Sequence, residues 1–258
     1  MTVPACPGPA HRVPPTLLAV AHGTRDAEGV AVTGALAARV RALRPSLRVE
    51  LCFLDLVAPS LPEALARLSG EVVVVPLLLG AGYHVRVDIP GALAAAPHLN
   101  SRVARALGPD PLLAEALTGR LTDAGWRAGD GPVVLAAAGS TDPGANADTA
   151  AMASLLREHL PGPDEVVPAY LCAAGPTPAE AVAALRSEGH SRVAVAEYLL
   201  SPGFFARRAA RSGACLTSAP LGTHDALARL VTRRYDEART ALGTHTPLPP
   251  PGAPTGCG

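Results

Sequence analysis

Three residues able to do chemistry each follow an apolar run: "LLAVAH" ends at His22, "CFLD" at Asp55, and "VVVVPLLLGAGYH" at His84. Two neutral imidazoles with one carboxylate can hold a divalent iron, cobalt, nickel or zinc ion and leave coordination positions open. The same rings accept protons near neutral pH, because an unperturbed imidazole has a pKa of about 6.5. One constellation of this kind can hold a metal ion, take protons from a bound molecule, or do both.

Whether the three meet depends on the elements that carry them. Strands are expected at Leu17–Ala21, Leu47–Leu54, Val72–Leu79, Val133–Ala138, Glu165–Leu171 and Arg192–Leu200. Helices are expected at Glu28–Arg44, Ser60–Ser69, Pro111–Ala124, Ala145–His159, Pro178–Glu188 and Asp225–Ala241. Several strands are apolar throughout, as parallel strands covered on both faces must be. Alternating strand and helix predicts an α/β fold with a doubly wound parallel sheet, flavodoxin-like in kind. Ligands of such sheets bind beyond the carboxyl ends of the strands, which is where His22, Asp55 and His84 project.

The pattern occurs twice. "LLAVAHGTRD" returns as "VVLAAAGSTD" 116 positions later, "CFLDLVAPS" as "AYLCAAGPT" after 117, and "VPLLLGAGYHVR" as "AEYLLSPGFFAR" after 121. Matches in one order at nearly one offset imply two related domains in tandem. A first domain over 16–126 carries the site, a degenerate copy spans 127–243, and "WRAGDGP" (Trp126–Pro132) joins them. The Pro/Gly-rich ends, 1–15 and 244–258, are expected to be disordered tails. The repeat is also an internal control. Apolar strands, the glycine after strand one and the Pro-Ser/Thr helix start persist in both copies. The three polar groups do not: His22 aligns with Ala138, Asp55 with Cys172, and His84 with Phe205.

Composition narrows the chemistry. Basic and acidic residues balance at 22 each, which implies no pull toward nucleic acid or a membrane surface. The chain has no lysine, so a lysine Schiff base and a phosphate-loop lysine are excluded, and nucleotide-driven chemistry of the common kind with them. Five cysteines without a C-x-x-C pair support neither a disulfide framework nor a four-cysteine zinc or iron–sulfur cluster. Cys52 and Cys172 are expected as buried small hydrophobes. This cysteine usage leads to the expectation of a reducing, cytoplasmic setting; no signal peptide and no membrane-spanning apolar run are read. The other six histidines have bland readings: tails for His11 and His245, helix C-termini for His159 and His190, a loop for His98 and a helix start for His224. Gly23, Gly80 and Gly82 are read as letting backbone approach a large flat ligand or adopt positive φ.

"AHGTRD" after the first strand, "FLD" ending the second and "PLLLGAGYHVRVDIP" after the third resemble the sirohydrochlorin chelatases of the class II chelatase superfamily, in their long tandem-domain form. The resemblance covers Leu17 to about Ala241, and the Gly-x-His with Asp-Ile-Pro is its most specific part. It implies two similar α/β domains facing one another across a cleft that holds the tetrapyrrole. The implied reaction inserts Fe²⁺, or next Co²⁺, into sirohydrochlorin without ATP, in sirohaem or cobalamin biosynthesis. Two pyrrole N–H protons must leave as the metal enters. Carried over residue by residue, His22 and His84 bind metal and accept those protons. Asp55 assists from a place where many relatives have glutamate. Arginine pairs with carboxylate in a fork geometry, so Arg25, Arg86 and Arg207 are the candidates to grip substrate carboxylates, with Gly80 and Gly82 beside them. Arg208 and Arg211 are read as solvated. A duplicated chain has less need to dimerise, so a monomer is expected. A histidine phosphatase is set aside, because Ala21 stands where such enzymes have arginine. A non-catalytic carrier of metal or tetrapyrrole remains the alternative.

Overall fold

The computed structural model describes residues 13–162 and 164–242. The expected tails lie outside them except for residues 13–15, and with them His11, His245, Cys6 and Cys257. The first half runs β1 (Thr16–Ala21), α1 (Ala27–Leu43), β2 (Val49–Phe53), α2 (Leu61–Arg67) and β3 (Gly70–Pro76). A π-helical turn (His84–Asp88) then leads into α3 (Ile89–Ala94), β4 (Leu99–Val103) and α4 (Pro111–Asp123). The second half runs β5 (Val133–Ala137), α5 (Pro143–His159), β6 (Val166–Tyr170), α6 (Pro178–Ser187) and β7 (Ala194–Tyr198). It ends with α7 (Phe204–Ala209), β8 (Leu216–Thr217) and α8 (Asp225–Leu242).

The strands form two parallel sheets, ordered β2-β1-β3-β4 and β6-β5-β7-β8. In each, the chain's direction of travel across the sheet reverses between the two central strands. Each sheet therefore has a topological switch point, between β1 and β3 in the first and between β5 and β7 in the second. The two similar α/β halves in tandem are as expected. β4 and β8 are edge strands that the sequence reading did not assign. β4 reads "LNSRV", too polar to stand out as an apolar run, and β8 has two residues. The turn at 84–88, α3 and α7 were missed as well, each being shorter than two helical turns.

Alternation along the strands sorts side chains to two faces. In β1, Leu17, Ala19 and Ala21 face one way and Leu18 and Val20 the other. The outer faces close separate cores under α2 and α3 in one half and α6 in the other. The inner faces merge into a single core that runs through both halves. α1 and α8 pack on the N-terminal sheet, and α5 and α4 on the C-terminal one. The halves thus exchange their last helices. Leu113, Leu117 and Leu121 of α4 and Leu227 and Leu230 of α8 are fully buried there, each contributing about 1.5–3 kcal/mol.

The exchange is locked by an arginine on each helix. Arg120 of α4 donates through Nε and Nη2 to the Leu221 carbonyl, just before α8. Arg234 of α8 donates to the Ala106 and Leu107 carbonyls and to Asp110, the N-cap of α4. Arg234 and Asp110 are 0% and 3% exposed, so the halves are held by a desolvated ion pair as well as by apolar packing.

Candidate active site

A cavity of about 1050 Å³ opens between the halves at the carboxyl ends of β1, β3, β5 and β7. His22 is the first residue after β1. Its carbonyl accepts the Asp55 N–H at 3.0 Å, which ties the ends of β1 and β2 together. The chain then turns at Gly23, with φ +98°, where a Cβ would stand 1.9 Å from the Asp55 carbonyl oxygen. Only glycine fits there. Asp26 N–H donates to Thr24 Oγ1, and Asp26 caps α1 by accepting Glu28 N–H. The second half repeats the device: Gly139 at φ +89° faces the Cys172 carbonyl, Ser140 replaces Thr24, and Asp142 caps α5. What the second half lacks is the imidazole.

His84 opens the π-helical turn. Its Nδ1–H donates to Asp88 Oδ2 at 2.6 Å, four residues on. An ionised carboxylate only accepts, so this bond assigns the proton to Nδ1 and leaves the Nε2 lone pair available. The rings of His22 and His84 meet edge to face, with centroids 4.7 Å apart and planes at 88°. Both line the cavity. A pair of ring nitrogens so placed can approach one ion, or accept protons from one face of a bound molecule.

Around them the walls are apolar and wide. Leu77 to Leu79, Phe53 and Phe205 line the floor, and Tyr83 and Phe204 stand on opposite lips at 66% and 68% exposed. Tyr83 and Phe204 are repeat counterparts, 121 positions apart. Gly80 and Gly82 line the cavity without positive φ, and nothing lies within 4 Å of a Cβ placed on Gly82. They leave room for a ligand rather than strain in the backbone. The second half holds the loop after β3 in place. Tyr198 O–H, on β7, donates to the Leu79 carbonyl at 3.2 Å, and the Ala81 N–H donates to Asp148 on α5 at 3.4 Å.

Three sequence expectations take a different form here. Asp55 sits beside His22 through the backbone, but its Oδ1 accepts the Leu56 N–H at 2.7 Å and its side chain does not line the cavity. A short side chain at a tight turn finds the nearest N–H first. Among the described residues no three His, Cys, Asp or Glu side chains converge as a metal-holding group. Cys172, expected in the core, is exposed and lines the cavity, because it lies beyond the end of β6 rather than within it; Cys52 is buried, and burial pushes its thiol up to about 12. Of the arginines, Arg25 and Arg207 line the cavity and Arg86 does not. Arg86 pairs with Asp142 at 3.0 Å and Arg207 with Asp26 at 2.5 Å. Sequence reasoning missed Asp88, whose four-residue spacing from His84 in "HVRVD" was the available signal.

Two parallel sheets in tandem, sharing one cleft at their switch points, define the class: tandem-domain α/β proteins with a ligand cleft between the halves. The chain matches the family described as CbiX over residues 16–124 and 132–238, and it belongs to that family. It is 29% identical over 195 residues to the sirohydrochlorin ferrochelatase of Bacillus subtilis (strain 168), across 72% of this chain and 74% of that protein. It is 28% identical over 205 residues to the sirohydrochlorin cobaltochelatase of Priestia megaterium, across 75% of this chain and 66% of that one, just under two thirds of its length. The solved structure of SirB from Bacillus subtilis with Fe³⁺ superposes with a TM-score of 0.77 at 25% identity, covering 90% of this chain and 98% of that one. Among the described residues no helix is long and apolar enough to cross a membrane.

Proposed function

We propose that this protein inserts Fe²⁺ or Co²⁺ into sirohydrochlorin without a nucleotide, with His22 and His84 carrying the chemistry. The observation that supports this most is the edge-to-face contact of the two imidazoles, 4.7 Å apart, inside a cavity of about 1050 Å³ walled by leucine and aromatic side chains. A flat macrocycle fits between the two lips, and the imidazoles address it from the N-terminal half only. His84 offers Nε2, because Nδ1–H is committed to Asp88. As the metal ion passes from the imidazoles to the macrocycle, two pyrrole N–H bonds break and the rings take up the protons.

Asp55 assists by fixing the turn beside His22 rather than by touching metal. Arg25 and Arg207, at the cavity wall, meet substrate carboxylates, and Arg86 stands at its edge. Two imidazoles do not by themselves discriminate iron from cobalt, since first-row divalent ions share one order of affinity for such ligands. Supply in the cell then decides which is used, iron first. The chain works as a monomer, because each half supplies the other's wall.

Anaerobic incubation with sirohydrochlorin and Fe²⁺ or Co²⁺, followed by absorbance, tests the proposal. Metallation faster than the protein-free rate is expected with both ions. His22→Ala and His84→Ala should each abolish it with circular dichroism unchanged. Binding of metal and tetrapyrrole without any acceleration would make the protein a carrier and refute the enzyme.

A further inference from the structure

The ion pairs Arg86–Asp142 and Arg207–Asp26 are one contact made twice. The arginines are repeat counterparts 121 positions apart, and the aspartates 116 apart. Each arginine follows the third strand of its own half, beside His84 in one case and Phe205 in the other, and reaches across to the other half's first helix. The two bonds therefore cross the cleft in opposite directions.

The partners are unequal in mobility. Each aspartate is fixed by a second duty: Oδ1 of Asp26 accepts Glu28 N–H and Oδ1 of Asp142 accepts Gly144 N–H, as helix N-caps. Only Oδ2 faces the arginine. Asp142 and Asp26 are 28% and 20% exposed, whereas Arg86 and Arg207 are 56% and 61% exposed. The arginine hydrogen bond holds the Asp26 carboxyl below its ordinary pKa, and so keeps it charged. An aspartate that loses its arginine still faces the positive end of a helix, which stabilises its charge. Exposed ion pairs of this kind are weak. An arginine here can leave its aspartate at little cost, provided another carboxylate is offered.

We propose that Asp26 and Asp142 are built-in competitors of the substrate: they hold Arg207 and Arg86 at the cleft edges until carboxylates of the tetrapyrrole take over those guanidinium groups. Entry of a polycarboxylate then releases both cross-cleft bonds at once, and loss of product lets them re-form. This rests on the reading that the cavity takes sirohydrochlorin. It predicts an inverted sign for removing an acid that caps a helix.

The test is the dissociation constant of metal-free sirohydrochlorin, read by quenching of its fluorescence. Asn caps a helix as well as Asp, so Asp142→Asn and Asp26→Asn keep the helix starts; unchanged thermal unfolding checks this. Each is expected to tighten binding about two- to fivefold, the worth of an exposed pair. Arg86→Gln and Arg207→Gln should weaken it. Removing any negative charge near a polyanion also tightens binding, and the double variant separates the two causes. In Arg86→Gln, adding Asp142→Asn should give no further gain if the aspartate acts by occupying the arginine. A gain that persists in the double variant overturns exchange. So does a wild-type protein that binds sirohydrochlorin while both Asn variants bind it equally or more weakly. Absence of wild-type binding overturns this inference together with the proposed substrate.

Discussion

Glu197 offers the sharpest quantitative test of the fold. It lies in β7, at 3% exposure, on the opposite face from Tyr198, and the first half has Pro76 at the equivalent place. Its N–H donates to Ser218 Oγ, but its Oε2 finds no hydrogen-bond partner among the described residues. Burial raises the carboxyl from 4.5 to about 7. Below pH 4.5 folded and unfolded chains both carry the proton, and Glu197 adds no pH dependence. Between 4.5 and about 7 the unfolded chain ionises first, so stability falls as pH rises. Above about 7 the loss levels off at about 3 kcal/mol, since each pKa unit is worth about 1.4 kcal/mol. Glu197→Gln is nearly isosteric and never ionises. At pH 8 it should be more stable than the parent by up to about 3 kcal/mol, or about 6–12 °C in Tm for a chain of this size. At pH 5 most of the difference should vanish. Thermal unfolding by circular dichroism at pH 5, 6, 7 and 8 measures it. A difference in Tm that stays constant across that range would refute the argument that an unpartnered, desolvated acid sits in this sheet.

Asp88 fixes the tautomer and orientation of His84, so Asp88→Asn should lower Co²⁺ affinity or the metallation rate about 10–100-fold. The Co²⁺ absorption spectrum reads the affinity, and Asp88→Glu should recover part of the loss. Arg234 is wholly buried against Asp110 and two carbonyls, so Arg234→Ala should cost about 3–5 kcal/mol by stripping the Ala106 and Leu107 carbonyls of their donor and, of its arginine hydrogen bonds, leaving Asp110 that from Arg233. Denaturant unfolding measures that cost, and because one core runs through both halves it should remain a single cooperative transition.

The sequence made the sheets legible for a physical reason: strands covered on both faces must be apolar along their whole length, and Leu17–Ala21, Val72–Val75 and Val133–Ala137 are. The meeting of His22 and His84 was legible too, because a parallel sheet sends every strand end to one edge and the repeat showed which polar groups the fold does not require. The helix exchange was not legible. Periodicity says that α4 and α8 each bury a stripe, but not which sheet receives it. Asp55 reaches the same edge by its position at a strand end. Position at the edge does not settle where a side chain points, and the adjacent Leu56 N–H claims it. Asp88 stood in view at four residues from His84, a spacing that pairs side chains within one helical turn, without being read as a partner.

Duplication explains why the two halves diverged as they did. Gly23 and Gly139, Asp26 and Asp142, Arg86 and Arg207 persist because each serves the joint structure: two tight turns, two helix caps, two crossing ion pairs. On the proposed function the imidazoles are under no such constraint, because one macrocycle would need metal delivered from one face only. With His22 and His84 in the first half, Ala138 and Phe205 in the second are free to become wall. Phe205 packs against the outer core of its own half while lining the cavity, a role a histidine would fill less well. The asymmetry at these positions is what the proposed function requires of a ligand with two faces and a reaction that uses one.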